Sequence, residues 1–107
     1  RELELKLFTN EEVLAVNQNG ENPKQLYKND SSMVWVSTVN GSKDLYVGLF
    51  NIGENAHDVA VDFKALGLKG KVLVRDLWKK ANVGIVTKKY SQRINKHGSV
   101  LLRLSVK

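Results

Sequence analysis

Short runs in which apolar and polar residues alternate constrain the fold of this chain more than any other feature of its sequence. Residues 99–106 carry an apolar side chain at every second position from Val100 to Val106, and residues 58–63 show the same alternation. Neighbouring side chains of a strand point to opposite faces, so each run predicts a β-strand with one buried face.

Two further runs, residues 33–39 and 45–52, are separated by a turn sequence that contains Asn40-Gly41. Both residues accept a positive φ angle, so the pair favours a tight hairpin between the two strands. The second run is apolar on both faces, which is typical of a central strand covered on both sides. One face carries Leu45, Val47 and Leu49, and the other carries Tyr46, Phe50 and Ile52.

Three more strands are predicted at residues 72–77, 83–87 and 89–94, and residues 64–68 are predicted to form a turn or a single helical turn. The fold class that this pattern indicates is all-β, an antiparallel β-sandwich of about six to eight strands. A parallel sheet would need crossover helices, for which the chain has no room.

The first 18 residues differ from the rest. Thr9 and Glu12 have the spacing of a capping box, and residues 13–16 give one apolar turn, which together favour a short N-terminal helical segment. Residues 19–24 are polar and contain the only proline, so we interpret them as a linker. The expected organisation is a helical segment over 1–18, a linker over 19–24 and the sandwich over 25–107.

Composition excludes several classes of function. The 107 residues contain no cysteine, which excludes a disulfide framework, a thiolate zinc site and a cysteine nucleophile. No apolar run approaches the roughly 18 residues of a membrane span. The net charge is +6, but the thirteen lysines are scattered along the sequence, which favours a solvated surface. We therefore expect neither a nucleic-acid nor a membrane partner.

No motif for catalysis, metal binding or cofactor binding stands out. The two histidines, His57 and His97, lack any metal-ligand spacing, and no Gly-x-Ser-x-Gly elbow or phosphate-binding loop occurs. Glycoside hydrolysis would need two carboxylates facing each other across a cleft, whereas most of the eleven acidic residues fall in turns or on polar faces. We predict no catalytic residue, no metal and no cofactor in this chain.

Four residues are candidates for contacts with a sugar or with a neighbouring domain: Arg75, Asp76, Trp78 and Tyr90. Aromatic rings with polar edges suit the apolar faces of sugars, and an Arg-Asp pair can bind hydroxyl groups. A structural ion pair or turn anchor is the more frequent role for Asp76. Arg75 and Asp76 are adjacent on a strand and so point to opposite faces. Trp35 lies inside a strand and is expected in the core.

Several blocks of the sequence together resemble a known family. Residues 7–18, Leu-Phe-Thr-Asn-Glu-Glu-Val-Leu-Ala-Val-Asn-Gln, resemble the end of the catalytic barrel in the α-galactosidases (melibiases) of glycoside hydrolase family 27. The later blocks resemble the C-terminal domain of that family; they are Val34-Trp35-Val36, residues 48–53, Val61-Asp62-Phe63, Leu66-Gly67-Leu68, residues 74–78 and residues 97–104. The sequence departs from the family pattern at residues 19–24.

The resemblance implies a retaining α-galactosidase whose (β/α)8 barrel precedes this chain and carries both catalytic aspartates. It implies for this chain a non-catalytic accessory β-sandwich that packs against the barrel, and residues 1–18 would be the remnant of the barrel's last helix. The alternatives are a stand-alone carbohydrate-binding module and, less favoured, a basic nucleic-acid-binding domain. Apolar residues that would face the barrel predict packing of residues 1–16 on the sandwich or self-association; they are Leu3, Leu5, Leu7, Val13 and Leu14.

Overall fold

The computed structural model describes Glu12, Val16 and residues 19–107. That part of the chain forms eight strands and one 3-10 turn, Phe63–Leu66, so the predicted all-β class and strand number are confirmed. The strands are β1 (Gly20–Lys28), β2 (Ser32–Val39), β3 (Leu45–Asn51), β4 (His57–Asp62), β5 (Val72–Asp76), β6 (Ala81–Val86), β7 (Lys89–Ile94) and β8 (Ser99–Val106).

The strands build two layers of unequal size. A six-stranded sheet has the order β1-β2-β3-β8-β5-β6, and β4 pairs with β7 in a two-stranded sheet. Every pairing is antiparallel. One face of the large sheet packs against β4–β7 in the main core, and the small cluster of Val39, Tyr46 and Leu77 lies on its other face.

The main core lies between the two layers and is built from the alternating residues of the sequence. Val100, Leu102 and Leu104 of β8 face Val59 and Val61 of β4 across it, and all five are buried. Full burial of an aliphatic side chain contributes about 1.5–3 kcal/mol. The interior therefore stabilises the fold mainly through branched aliphatic side chains at every second position.

Strand β3 is the central strand that the sequence predicts, hydrogen-bonded to β2 on one side and β8 on the other. Its apolar residues face both ways, because Val47 and Leu49 enter the main core while Tyr46 is buried in a smaller cluster on the opposite face. Gly48 has no side chain, and the ring of Phe50 occupies the space where one would lie. A Cβ on Gly48 would be 2.8 Å from Phe50 Cε1.

The predicted hairpin joins β2 and β3, but its connection is longer than a two-residue turn. Residues 40–44 form the loop, Gly41 has φ +75°, and Asn40 is not among the residues with positive φ. The Ser42 amide donates to the Val39 carbonyl at 3.0 Å, and the Asp44 amide donates to Ser42 Oγ at 3.0 Å. Of Asn40 and Gly41, only Gly41 adopts a positive φ angle, and the hydrogen bonds of Ser42 and Asp44 close the rest of the loop.

The expected linker over residues 19–24 is wrong for residues 20–24, which belong to β1 and pair with the end of β2. The pairing shifts register between Glu21 and Lys24, and this irregularity contains Pro23. A proline cannot donate to a sheet, but a bulge on an edge strand does not require its N–H. The sequence criterion failed because β1 is such an edge strand.

The predicted N-terminal helical segment lies largely outside the described residues. Glu12, Val16 and Asn19 have helical backbone, and the remainder of that prediction stays untested, as does the assignment of residues 1–18 to a preceding barrel. The apolar residues Leu3, Leu5, Leu7, Val13 and Leu14 also lie outside. In the described part of the chain, no helix is long and apolar enough to cross a membrane.

Candidate interdomain surface

The face of the six-stranded sheet that points away from β4–β7 is here called the outer face. At its centre Trp35, Gly48 and Leu101 lie side by side on β2, β3 and β8. Together with Pro23 and Phe50 they line a shallow groove of about 150 Å³. Trp35 is 38% exposed, so the prediction that it lies in the core is wrong. Its neighbours Val34 and Val36 face the interior, and Trp35 between them therefore points to the outer face.

The chain enters the domain across this outer face. Val16 packs against the small cluster formed by Val39, Tyr46 and Leu77, and it also lines the groove. The Val16 carbonyl oxygen lies so close to Gly20 that a Cβ there would be 2.5 Å away. Glycine at position 20 therefore allows the chain to turn tightly from helical backbone into β1 while it stays on the sheet.

Arg75 binds Glu12, the other described residue before β1 that contacts the sheet. Its Nε donates to Glu12 Oε1 at 2.7 Å and its Nη2 to Glu12 Oε2 at 3.0 Å, which is a bidentate pair. Further bonds of 3.0 Å reach Asn82 Oδ1 and the Lys80 carbonyl. These hydrogen bonds from Arg75 lower the pKa of Glu12 below its ordinary value of 4.5.

Replacement of Glu12 by glutamine should destabilise the fold slightly at pH 7, by no more than an ordinary exposed ion pair contributes, because both side chains are about one-third exposed. The pKa of Glu12 is depressed in the folded state, so its contribution is present above pH 4.5 and is lost as the pH falls through the lowered value. Urea unfolding at pH 7 and pH 3 measures this. A difference between the two proteins that is equally large at pH 3 would contradict the ion-pair explanation.

Arg103 lies beside this region on β8. Its Nε donates to Asp44 Oδ2 at 2.8 Å, and Ser105 Oγ donates to the same oxygen at 2.9 Å. The guanidinium carbon of Arg103 is 5.7 Å from the centre of the Tyr46 ring, which is a cation–π distance. The outer face therefore combines an apolar centre with two arginines that are already paired, the composition expected of a protein–protein contact.

The four candidate residues do not converge on one site. Asp76 is 3% exposed and its Oδ1 accepts from the Lys79 amide at 3.0 Å, which makes it a turn anchor. Arg75 points to Glu12 instead, and Trp78 is half-buried against the cluster of Val39, Tyr46 and Leu77. Roles in sugar binding or domain contact stay predictions for all four.

Tyr90 lies in the other layer, on β7, and packs against the main core. Its hydroxyl donates to Gln92 Oε1 at 2.6 Å. Burial, and to a smaller degree the charge of Asp76, raises the pKa of this phenol. Tyr90 is half-buried, whereas Trp35 on the outer face is 38% exposed, so Trp35 is the more exposed of these two rings.

Ser32 and His57 form a pair that resembles a nucleophile and its base, with Ser32 Oγ 2.8 Å from His57 Nε2. His57 Nδ1 lies 3.1 Å from the Asn55 carbonyl, which can only accept, so Nδ1 carries the proton and Nε2 accepts from the serine. Ser32 is only 6% exposed, so a substrate cannot reach its hydroxyl. The pair connects the start of β2 to the start of β4 and is structural.

Within the described residues the chain is a two-layer antiparallel β-sandwich, with Glu12 and Val16 in contact with one face of its large sheet. Residues 29–104 match the family model of the alpha galactosidase C-terminal beta sandwich domain, and the chain belongs to that family. The resemblance noted from the sequence is therefore confirmed.

Solved structures and curated proteins agree with this assignment. A GH27 β-L-arabinopyranosidase from Geobacillus stearothermophilus is 38% identical with a TM-score of 0.91, and the match covers 98% of this chain and 24% of that one. Alpha-galactosidase I from Mortierella vinacea, at 21% identity and TM-score 0.85, shares the fold over 95% of this chain and 28% of its own. Alpha-galactosidase 2 from Arabidopsis thaliana is 29% identical over 94% of this chain and 26% of its own length.

This chain therefore spans only a minor part of the curated relatives that it matches: 26% of alpha-galactosidase 2, and 16% of the probable alpha-galactosidase D of Aspergillus oryzae, to which it is 23% identical. In those proteins the matched sandwich is part of a longer glycoside hydrolase chain. The chain is thus a domain of the kind that α-galactosidases carry as a C-terminal β-sandwich.

Proposed function

We propose that this chain is the non-catalytic C-terminal domain of a retaining GH27 α-galactosidase and stabilises the catalytic barrel by packing against it through the outer face. The observation that carries the proposal is the position of Val16 and Glu12, which lie on the outer face next to Trp35 and Arg75. The preceding part of the protein therefore approaches the sandwich from the side on which its apolar groove is open.

Four of the eight carboxylates in the described part of the chain are bound within the sandwich itself, which supports a non-catalytic role. Asp44 binds Arg103, Asp76 and Asp62 accept backbone amides of turns, and Glu54 binds His97. A retaining glycosidase needs two carboxyl groups roughly 5–5.5 Å apart across a cleft. Side chains that are already used to close turns and hold loops are not available for that arrangement.

The proposed substrate class is the terminal α-galactoside. One relative is a β-L-arabinopyranosidase and others are α-galactosidases. The two sugars share the same ring configuration and differ in the substituent at C5. Selection between them belongs to the catalytic barrel, which has to recognise that substituent, and the sandwich contributes stability to it.

An assay with 4-nitrophenyl α-galactoside tests whether hydrolysis belongs to the catalytic barrel and not to the sandwich. The purified 107-residue chain should release no nitrophenol above the buffer rate, whereas the longer parent protein should hydrolyse the substrate. Hydrolysis by the chain alone, surviving purification by two unrelated methods, would contradict the proposal. Inactivity of the parent on this substrate and on the β-L-arabinopyranoside would contradict the assigned activity.

A further inference from the structure

Six lysines that are scattered in the sequence meet at one end of the sandwich. They come from the 3-10 turn, the loop before β5, the turn between β6 and β7, the first residue of β7 and the residue after β8, and all are exposed. This set is here called the basic end; it consists of Lys64, Lys69, Lys71, Lys88, Lys89 and Lys107.

Backbone hydrogen bonds and two adjoining grooves hold these segments together. The Lys107 amide donates to the Lys71 carbonyl at 2.8 Å, and the Phe63 amide donates to the Lys88 carbonyl at 2.9 Å. One groove is lined by Lys71, Lys88 and Lys89 and the next by Lys64, Lys69 and Lys88, so Lys88 lies between them. The fold therefore fixes the backbone positions that carry these lysines relative to one another.

The charge of the basic end is largely uncompensated. Its one acidic neighbour in the grooves is Asp62, whose Oδ1 already accepts from the Lys64 amide at 2.9 Å. None of the six lysines takes part in the ion pairs found among the described residues. Six lysines and one aspartate give this region a net charge of +5, against +6 for the whole chain. A concentrated positive field of this kind attracts an anionic partner.

The shape and lining of the grooves limit the kind of partner. The grooves are concave and open, and beside the lysines they contain the half-buried aliphatic Leu68, the exposed Ile85 and the hydroxyl of Thr87. The one aromatic residue in their lining, Phe63, is 1% exposed and cannot stack on a nucleobase. A membrane surface would meet a protruding apolar patch, not a concave one. An extended polymer with negative groups and small apolar ring faces fits these observations.

We propose that the basic end binds an anionic polysaccharide, through lysine contacts to its carboxylate or sulfate groups and aliphatic contacts to its sugar rings. The site lies at the end of the sandwich and is separate from the outer face. It would hold a glycoside hydrolase close to a charged polymer without taking part in hydrolysis. The proposal of this site does not depend on the proposed packing of the outer face against the barrel.

Isothermal titration of the 107-residue chain with heparin and with polygalacturonate tests the proposal, because the first carries sulfates and the second carboxylates. Binding to at least one of them should weaken steeply as salt is raised from 20 to 200 mM, about as counterion release requires, and a neutral galactan should not bind. A double substitution, Lys71→Gln with Lys88→Gln, should weaken binding by roughly tenfold.

The matched control is Lys28→Gln with Lys96→Gln, which removes the same charge at the opposite end of the sandwich. It should change the affinity by less than about twofold. Urea midpoints equal to that of the unchanged chain establish that both variants are folded. The proposal is overturned if neither polysaccharide binds, if both double variants lose the same affinity, or if duplex DNA or phosphatidylglycerol vesicles bind more tightly than either polysaccharide.

Discussion

Replacement of Asn51 by aspartate should lower the free energy of unfolding at pH 7.5 by about 3–5 kcal/mol. Asn51 is 1% exposed at the end of β3, and its Nδ2 donates to the carbonyls of Asn55 and Ile94, both at 2.8 Å. Its Oδ1 accepts from the Gly53 amide at 2.8 Å. Aspartate has the same shape and can still accept from the Gly53 amide. Its second carboxylate oxygen would replace Nδ2 and face the carbonyl oxygens of Asn55 and Ile94 with no hydrogen to donate.

The same substitution should make stability depend on pH in a defined direction. Burial and the two facing carbonyls raise the pKa of the new carboxyl in the folded state above its unfolded value of about 3.9. A raised folded pKa means that the destabilisation caused by the substitution is smallest below a pH of about 3.9 and grows as the pH rises towards the folded pKa. Urea unfolding of both proteins between pH 3.5 and 8 measures the difference.

Asn55→Asp is the matched control, because it makes the same chemical change four residues away on an exposed side chain. Asn55 contributes its backbone carbonyl to the network, which the substitution leaves in place. The control should change stability by less than about 0.5 kcal/mol. If the Asn51 variant is no less stable than the control, the network around Asn51 does not hold the turn after β3 to β7.

The alternation of residues is sufficient to predict seven of the eight strands, β2 to β8, because burial of one face at every second position leaves a direct trace in the sequence. It also identified β3 as a central strand, since only a strand covered on both sides carries apolar residues such as Val47 and Tyr46 on both faces. The short helical turn predicted near residues 64–68 is present as Phe63–Leu66. These features are local and need no knowledge of which strands pair.

The errors fall where tertiary context decides. Pro23 and its polar neighbours were interpreted as a linker because their content of breakers is high, yet an edge strand with a bulge accepts them. Trp35 is expected in the core because it lies inside a strand, but its register puts it on the outer face. Its alternation with the buried Val34 and Val36 is the signal in the sequence for that outward position.

The basic end could not be predicted from the sequence at all. Lys64 and Lys107 are far apart along the chain, and only the pairing of β5 with β8 and the return of β7 to β4 place their segments at one end. Doublets such as Lys88-Lys89 give no sign of this arrangement by themselves. The candidate residues Arg75 and Trp78 are near the entering segment for the same reason, because the topology and not their spacing places them there.

Trp35 should lose most of its solvent access when the sandwich is part of the longer protein. It is 38% exposed in the chain described here and lies beside the open groove with Phe50 and Leu101. Apolar centres of protein contacts exclude water when a partner covers them, whereas scattered surface aromatics do not change. An indole reacts rapidly with hydroxyl radicals, so its oxidation reports directly on whether the outer face is covered.

His97 provides the internal control for that experiment. It lies in the turn before β8, it does not line the groove of the outer face, and its side chain is 59% exposed. Its labelling should be the same whether or not the catalytic domain is attached. Normalising the oxidation of Trp35 to that of His97 removes differences in radical dose between the two samples.

Hydroxyl-radical footprinting of the 107-residue chain and of its parent glycosidase is therefore the most direct measurement. Packing through the outer face predicts that oxidation of Trp35, relative to His97, falls at least about tenfold in the parent, in proportion to the surface removed from water. Equal oxidation of Trp35 in the two proteins would contradict it, since the outer face would then remain open to solvent beside the catalytic domain.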